Sequence, residues 1–500
     1  MEKRKADPSP PFATNATGLG MTRGKSKSAP LRTTLRSSGQ AGAAPKGTER
    51  PRFKNGTWGT RRRSVVAICV ALALAFAASN AAADAGECKE RRQGAAKAFS
   101  DGILLLHSKT VTYDADDSYR EDAAFYYLTG LENSPGAILA VDGKGGGESW
   151  LFVDTKRPLQ LGEVQPGAEA ARKLELQHVV DWKELNHFLT KRIAAGAAIY
   201  FDPGLQMLPE ELSTSKDARM PAWIQVLQET WPKAEFRSAK RKFDALMAVE
   251  SGSEQQALRG AAQATVAAFT AGAKAVRPGA SQRDVELAVA DACWKAGAHG
   301  VFFWPWAMAG ANGVFPKPFE GNVRYDHLNT AIRAGDLMRL DVGCEWQHYQ
   351  GDLGRTIPVS GHYSDEQREV WNIFVAAYRK VASELKKGLT EDQAFEIWRT
   401  ELRQRGEAAK TPLAKEAVAN WSERKNVPHW QMHTTNLSAA FIEGPLRAGM
   451  VIDFEPIASI GGQGYYLEDM FLITKTGAEN LTPGLPYSAE EIEAFLAQKQ

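Results

Sequence analysis

Short apolar runs separated by turns dominate the chain from about residue 87 to residue 238. The stretches 125–130, 137–141 and 149–153 are brief and apolar, so we predict that each forms a strand. The glycines from Gly143 to Gly147 predict a turn between the last two strands. Helical stretches alternate with the strands, which indicates an α/β domain without a catalytic constellation of its own.

The pattern becomes helical at residue 239. Alanines recur at helical spacing between residues 257 and 268, and a second helix is predicted to begin at Ser281. Strand-rich segments follow between residues 336 and 359. A third helix is predicted from Ser364 to about Lys387. Both serines have an acidic or amide residue three positions later, which is typical of a capping box.

The overall composition is that of a globular protein, but its charge is uneven. The 500 residues are 43% hydrophobic and 24% charged, with a formal net charge of +2. The first sixty residues are basic and rich in small polar residues, which predicts a disordered extension over residues 1–60. Without this extension the chain is acidic, so the charge gives no support for nucleic-acid binding.

A leader follows this extension. Three arginines at residues 61–63 precede an apolar run over residues 65–78 and a small-residue stretch before Asp84. This order predicts a signal peptide over residues 61–83 and an exported protein, periplasmic or secreted. The apolar run is shorter than the roughly 20 residues of a transmembrane helix, so an uncleaved membrane anchor is the less favoured alternative.

The four cysteines do not form a zinc motif, because none lies in a Cys-x-x-Cys pair. Cys69 lies in the leader, and Cys88, Cys293 and Cys344 remain in the mature chain. We interpret Cys344 as a small apolar strand residue. The odd number predicts at least one free thiol.

Four carboxylates lie in segments that are otherwise apolar and strand-like. They are Asp341, Asp352, Glu455 and Glu468. A surface position could explain any one of them, but an unpaired carboxylate inside an apolar strand costs several kcal/mol. Paired carboxylates on adjacent strands repel each other unless a cation neutralises them, and oxygen ligands suit Mg, Mn, Ca or carboxylate-bridged Zn and Co.

Two histidines, His429 and His433, lie four residues apart shortly before Glu455. A lone histidine is more often structural than metal-binding. Beside four strand acids, one imidazole can complete a metal site, and the other can bind substrate or stabilise an oxyanion.

These segments together resemble the aminopeptidase P and prolidase family. The matching stretches are Asp341-Val-Gly-Cys-Glu, Asp352 with Arg355-Thr, Pro428-His429 with His433, Glu455-Pro and Glu468-Asp. The resemblance implies an α+β fold, in which a pita-bread catalytic domain of curved antiparallel sheet and helices (residues 239–488) follows an α/β N-terminal creatinase-like domain (residues 87–238).

The resemblance also implies a function and a ligand set. Asp341 would bind one divalent metal ion and His433 the other, Asp352 and Glu468 would bridge them, and Glu455 would bind metal and handle protons. The ions would be Mn, with Zn or Co as alternatives. The substrate would be a peptide with proline at its second position, cleaved before that proline by an enzyme that forms a homodimer or homotetramer.

Three positions depart from the family pattern. Arg324 stands where the family usually has a substrate-site histidine, Ala440 replaces a further active-site histidine, and Tyr466 replaces an arginine. We assign Arg324 and His429 to the catalytic shell with Glu455. An ungapped count from Glu455 would instead place Asn426 at the ligand position, but a shortened loop keeps His433 there, and loop length changes easily.

The altered substrate shell leaves two other functions open. One is a related metal-dependent hydrolase with a different substrate, for which Arg324 could anchor a carboxylate. The other is a catalytically impaired binding module on the same fold. Trp304, Trp306, Trp346 and Trp430 could line a substrate groove or pack in the core.

Overall fold

The computed structural model describes residues 84–109, 120–155, 164–202, 222–317, 328–427 and 429–498. The predicted basic extension and signal peptide lie outside these residues, as does Arg324. The backbone of His429 is described but its side chain is not. Every helix in the described part of the chain is too short or too polar to span a bilayer.

The first part of the described chain forms a six-stranded mixed sheet in the order β4-β3-β2-β1-β5-β6. Its strands are β1 (Gly102–His107), β2 (Ile138–Asp142), β3 (Glu148–Val153), β4 (His178–Asp181), β5 (Ala198–Phe201) and β6 (Phe236–Ser238). The accompanying helices are α1 (Ala85–Ala98), α2 (Ala123–Thr129), α3 (Ala168–Lys173), α4 (Glu184–Ala194), α5 (Ala222–Thr230) and α6 (Lys240–Met247).

Both faces of this sheet are apolar because alternate residues of each central strand enter different cores. On β1, Leu104 and Leu106 join one buried cluster, whereas Ile103 and Leu105 join another. Helices cover both faces, as expected for an α/β layer arrangement. The strands predicted at residues 137–141 and 149–153 are confirmed as β2 and β3.

The strand predicted at residues 125–130 is wrong, because this segment forms most of helix α2. The Asp122 carboxylate accepts a hydrogen bond from the Phe125 amide at 3.0 Å and caps the helix. Gly130 ends it in a left-handed conformation (φ 66°). A short apolar run can be a buried strand or a buried helix, and only flanking caps distinguish them.

The second part begins with two helices, α7 (Gly252–Ala275) and α8 (Gln282–Lys295). An eight-stranded antiparallel sheet follows, whose main path runs β13-β12-β14-β15-β11-β8-β7, with β16 beside β15. Its strands are β7 (Trp306–Ala309), β8 (Leu337–Val342), β11 (Leu353–Pro358), β12 (His429–Thr434), β13 (Ala440–Phe441), β14 (Val451–Ile460), β15 (Gln463–Ile473) and β16 (Ala478–Asn480).

The remaining elements are a small hairpin and four helices. The hairpin joins β9 (Glu345–Trp346) to β10 (Tyr349–Gln350), and the helices are α9 (Asp365–Glu384), α10 (Glu391–Gly406), α11 (Pro412–Trp421) and α12 (Ala489–Ala497). The predicted capping boxes at Ser281 and Ser364 are confirmed. The helix that begins after Ser364 ends at Glu384 rather than near Lys387. A turn at Lys387 and Gly388 follows it.

Strand alternation divides the second sheet into a helix-packed face and a polar face. On β8, Met338, Leu340 and Val342 join the core formed with α7 and α8. Arg339 and Asp341 therefore point to the opposite face, since successive strand side chains alternate. The same alternation on β14 buries Ile452 and Phe454 in the core and turns Asp453 and Glu455 toward the polar face.

The interpretation of Cys344 as a small apolar strand residue is wrong. Its sulfur forms a disulfide with Cys293 of α8. The two Cα atoms lie 5.6 Å apart across 51 residues of sequence. This bond ties α8 to the segment directly after β8. Sequence alone could not pair these cysteines, since three of them were available in the mature chain. Cys88 stays a buried thiol, as the odd number predicted.

Candidate metal centre

Three strands and the residue just before a fourth bring the four predicted acids to the polar face of the second sheet. Gly354 on β11 is paired with Asp341 of β8 on one side and with Glu468 of β15 on the other. Directly opposed residues of antiparallel strands point to the same face. The two carboxylates therefore meet across a residue that has no side chain, and Asp352 lies just before the same strand.

His433 of β12 lies within this group of acids. Its Nε2 is 3.3 Å from Glu455 Oε1 and 3.7 Å from Glu468 Oε1, and its Nδ1 is 3.2 Å from the Thr434 carbonyl oxygen. Asn426 lies instead in a 3-10 turn (Arg424–Asn426) and donates to the Asn420 carbonyl. The tertiary structure thus brings His433, and not Asn426, to the acids.

The buried acids affect one another's ionisation. Burial raises the pKa of Asp352 well above its ordinary value, and the nearby Glu468 and Asp453 raise it further. Burial and the adjacent Glu455 likewise raise the pKa of Glu468. For His433, burial disfavours the imidazolium, but hydrogen bonds to Glu455 and Glu468 outweigh it and raise the pKa. Such a cluster favours a bound cation, which can neutralise several carboxylates at once.

Asp453 is a fourth buried group beside Asp352, His433 and Glu468, and the sequence analysis did not single it out. One ligand atom from each of these four residues lies within 4.8 Å of the others. The signal for Asp453 was present, because it stands two residues before Glu455 in an apolar strand. Residues two apart on a strand share a face, so Glu455 and Asp453 had to point the same way.

Arg339 and Tyr466 complete the side of the site next to Asp341. Arg339 donates through Nη2 to Asp341 Oδ2 at 2.9 Å and is almost fully buried. The Tyr466 hydroxyl donates to Glu468 and lies 3.4 Å from Glu455 Oε2. Tyr466 occupies a position where the resembling family commonly has arginine. The structure supplies the guanidinium of Arg339 instead, from strand β8 on the far side of β11.

Gly354 is required by the position of the Tyr466 ring. A Cβ at residue 354 would lie 1.8 Å from Tyr466 Cε1. The ring therefore lies directly over β11, where any side chain would collide with it. This close approach explains why glycine occupies the strand position between Asp341 and Glu468.

A buried ion pair supports the site from the opposite face of the sheet. Arg355 Nη2 donates to Asp469 Oδ1 at 2.7 Å, and both side chains are fully buried. Arg355 Nη1 also donates to the backbone carbonyl of Glu468 at 2.6 Å. The Thr482 and Tyr487 hydroxyls donate to Asp469 at 2.9 and 2.8 Å. These bonds fix the backbone that carries Glu468.

Other predicted residues have different positions. Arg324 and the His429 side chain lie outside the described residues. Ala440 lies on edge strand β13. Of the four tryptophans, Trp430 packs in the core. Trp306 is paired with Asp341 and therefore lies on the polar face of the sheet. Trp346 packs against the core, and Trp304 donates to Glu286 at 2.8 Å.

The donor set fits a divalent metal ion. Carboxylate oxygens and one imidazole are ligands for Mn, Zn or Co. Asp352 Oδ1 and both Asp453 oxygens are buried without a hydrogen-bond partner among the described residues. Burial of an ionised carboxylate is unfavourable in free energy unless the group is paired with a cation or coordinates a metal ion. Fold and site together define a metal-dependent hydrolase.

Comparison with known proteins identifies the family of metal-dependent hydrolases to which the chain is similar. Residues 256–475 match the sequence model of metallopeptidase family M24, and residues 88–200 match that of the aminopeptidase P N-terminal domain. The chain belongs to the aminopeptidase P family and is a metallopeptidase of family M24.

Two curated relatives show the extent of the similarity. The Xaa-Pro aminopeptidase of Escherichia coli (strain K12) is 26% identical over 461 residues, which is 83% of this chain and 98% of the relative. The Xaa-Pro dipeptidase of Pyrococcus horikoshii is 28% identical over 269 residues, 51% of this chain and 69% of the relative.

Solved structures share the fold. A variant of Escherichia coli aminopeptidase P in complex with substrate has a TM-score of 0.65 at 24% identity, over 83% of this chain and 99% of that one. Proline aminopeptidase P II from Yersinia pestis has a TM-score of 0.64 with the same identity and coverage. The predicted fold, a pita-bread domain after a creatinase-like domain, is confirmed.

Proposed function

We propose that this protein is an exported peptidase that uses two divalent metal ions to hydrolyse the Xaa-Pro bond of peptides. The observation that carries the proposal is the convergence of acids and one histidine around Gly354 on the polar face of the sheet. The relatives named Xaa-Pro aminopeptidase and Xaa-Pro dipeptidase support proline in the substrate.

In this proposal, Asp341, Asp352, His433, Glu455 and Glu468 hold the two ions. Ions bound there would lower the pKa of a coordinated water and act as Lewis acids toward a substrate carbonyl. Glu455 is proposed to carry a proton to the leaving nitrogen, and its Oε2 lies 3.4 Å from the Tyr466 hydroxyl. Gln431 also donates to Glu455, which holds the carboxylate in position.

The metal is proposed to be Mn, with Zn or Co as the alternatives, since carboxylate-rich sites accept all three. His429 and Arg324 are proposed to contact the substrate. A homodimer or homotetramer remains part of the proposal.

Export is supported by two independent features. Residues 61–83 have the order of a signal peptide. The disulfide between Cys293 and Cys344 is typical of proteins in oxidising compartments. Cell fractionation of the full-length chain tests this part of the proposal. Processing near Asp84 together with recovery in the periplasm or medium is expected, and an unprocessed cytosolic product would contradict export.

Peptide hydrolysis is tested with purified protein loaded with Mn²⁺. It should release the first residue from Xaa-Pro-containing dipeptides and longer peptides, and Asp352→Asn should abolish turnover. Asp392→Asn is the matched control, because Asp392 is exposed on helix α10. Absence of turnover on every Xaa-Pro peptide, by a protein that retains its metal, would refute the proline specificity.

A second candidate is a hydrolase of the same family with another amide substrate. Tyr466 favours it, because it stands where the family commonly has an arginine and its hydroxyl donates to Glu468. A panel of Xaa-Pro, Xaa-Ala and non-peptide amide substrates separates the two functions. Turnover confined to substrates without proline would favour this candidate.

A further inference from the structure

Asp453 is a buried carboxylate whose two oxygens lack a hydrogen-bond partner among the described residues. Its side chain is fully buried. An ionised carboxylate in such a place is strongly destabilising unless a cation or hydrogen-bond donors compensate it. Helix-facing Ile452 and Phe454 fix the strand orientation, so Asp453 cannot turn to the solvent without moving apolar residues out of the core.

The surroundings of Asp453 are those of a ligand. It is directly opposite His433 on the neighbouring strand β12. Ligand atoms of Asp453, His433, Asp352 and Glu468 lie within 4.8 Å of one another. A metal with ligand distances of about 2.0–2.3 Å holds its ligands up to about 4.6 Å apart, so small side-chain movements would bring all four into contact with one ion.

Hydrogen bonding to His433 is the competing explanation for Asp453. The Asp453 Oδ2 atom is 3.9 Å from His433 Nδ1, which is longer than a hydrogen bond. The Thr434 carbonyl oxygen is nearer to the same nitrogen, at 3.2 Å. The Nδ1 proton therefore has a backbone acceptor, and Asp453 is not needed to orient the imidazole.

We propose that Asp453 is a metal ligand in addition to the five residues named above. The inference rests on the metal centre of the proposed function, but not on its peptide substrate.

The test measures metal binding rather than activity. Metal is removed from the full-length protein by chelation, and Co²⁺ is titrated back by calorimetry with visible absorption recorded in parallel. Loss of a group that only orients a ligand lowers metal affinity by about 10–100-fold. For Asp453→Asn we expect a loss of roughly 100-fold or more in the affinity of one ion, together with a changed Co²⁺ absorption spectrum.

Two reference variants complete the experiment. Asp352→Asn should lower Co²⁺ affinity at least as much, and exposed Asp392→Asn should leave it unchanged. The metal-free Asp453→Asn protein should melt at or above the temperature of the parent protein, because no residue described in the structure donates a hydrogen bond to the Asp453 carboxylate. Such a result shows that the variant folds, whereas a fall in both metal-free stability and metal affinity assigns Asp453 a structural role and overturns the inference.

Unchanged affinity in Asp453→Asn would refute the inference, as would a lower affinity with an unchanged Co²⁺ spectrum. The outcome is separable from the proposed function. If the protein binds metal in a way that depends on Asp453 but hydrolyses no Xaa-Pro peptide, only the proposed substrate is rejected. If neither Asp352→Asn nor Asp453→Asn affected metal binding, the metal centre itself would be rejected.

Discussion

The guanidinium of Arg339 lies against the ring of Tyr466, with Cζ 4.3 Å from the ring centroid. Arg339 also donates to Asp341, and Tyr466 donates to Glu468. The pair thus connects two acids that stand on either side of Gly354. A guanidinium over an aromatic face is favourable, more so when desolvated. Arg339 and Tyr466 therefore hold one wall of the site before any metal enters.

Replacement of Arg339 should affect the metal-free protein most. Arg339→Met removes one partner of a buried ion pair, which costs about 3–5 kcal/mol when the other charge stays uncompensated. A metal ion on Asp341 would compensate that charge, so the loss should be smaller in the loaded protein. Urea unfolding with and without Mn²⁺ measures the difference. Exposed Arg333→Met is the control, and equal losses in both states would contradict this role.

Replacement of Gly354 should displace Tyr466. The Cβ of Gly354→Ala would overlap the ring, and such overpacking typically costs about 1–3 kcal/mol. Tyr466→Ala removes the obstacle, so the double variant should lose less stability than the sum of the single variants. Thermal unfolding of all four proteins measures the coupling. Gly252→Ala, where the added Cβ meets open space, is the control, and strict additivity would exclude the collision.

Breaking the ion pair behind Glu468 should be strongly destabilising. Arg355→Met leaves the fully buried Asp469 without its cation, so we expect a loss of about 3–5 kcal/mol in the free energy of unfolding. The exposed pair of Lys295 and Asp291 on α8 is the comparison, since exposed ion pairs contribute about 0–1 kcal/mol. Urea unfolding of Arg355→Met and Lys295→Met measures both. Similar small losses would show that Asp469 does not need Arg355.

Removal of metal should lower the melting temperature. The buried acids repel one another without cations, and a ligand present at 100 times its dissociation constant stabilises a protein by about 2.7 kcal/mol. Calorimetry of chelated and Mn²⁺-reloaded protein tests this. Asp352→Asn should show a smaller shift on reloading. An identical melting temperature with and without metal would argue against cation binding at the acids.

Cys88 should resist alkylation near neutral pH. Burial is the main cause that raises the pKa of its thiol to about 11, so the reactive thiolate is scarce at pH 8. The alkylation rate of native protein should rise with pH up to about 11. Mass spectrometry in a Cys69→Ser background measures it, with Cys88→Ala as the blank. Rapid alkylation at pH 7 would contradict the burial.

The same pKa predicts the sign of a stability change. A thiol pKa raised from 9.0 to about 11 in the folded state favours the protonated form. The contribution of the buried thiol to the free energy of unfolding is fully present below pH 9 and is lost as the pH rises toward 11. Unfolding free energies measured from pH 8 to pH 11 should therefore fall more in the parent protein than in Cys88→Ala. If the free energy of unfolding fell equally with pH in both proteins, the Cys88 thiol would not be the cause of the fall.

Much of the catalytic domain was predictable from local sequence. Ser281 and Ser364 marked helix starts because a side-chain cap requires only residues three positions apart. Asp341 and Glu468 were recognisable because a carboxylate inside an apolar strand needs a compensating partner. The helix at Ala123–Thr129 was missed, since a short apolar run does not distinguish a buried helix from a strand.

The sequence by itself indicated that the segments carrying the four acids are strand-like, and that these acids with a histidine would need a cation. Only the tertiary structure decided which residues meet. It paired Cys293 with Cys344, placed Arg339 on Tyr466, and turned Asp453 toward His433. The physical reason is that capping and alternation act within one segment, whereas contacts between strands depend on register, which is set by packing across the whole sheet.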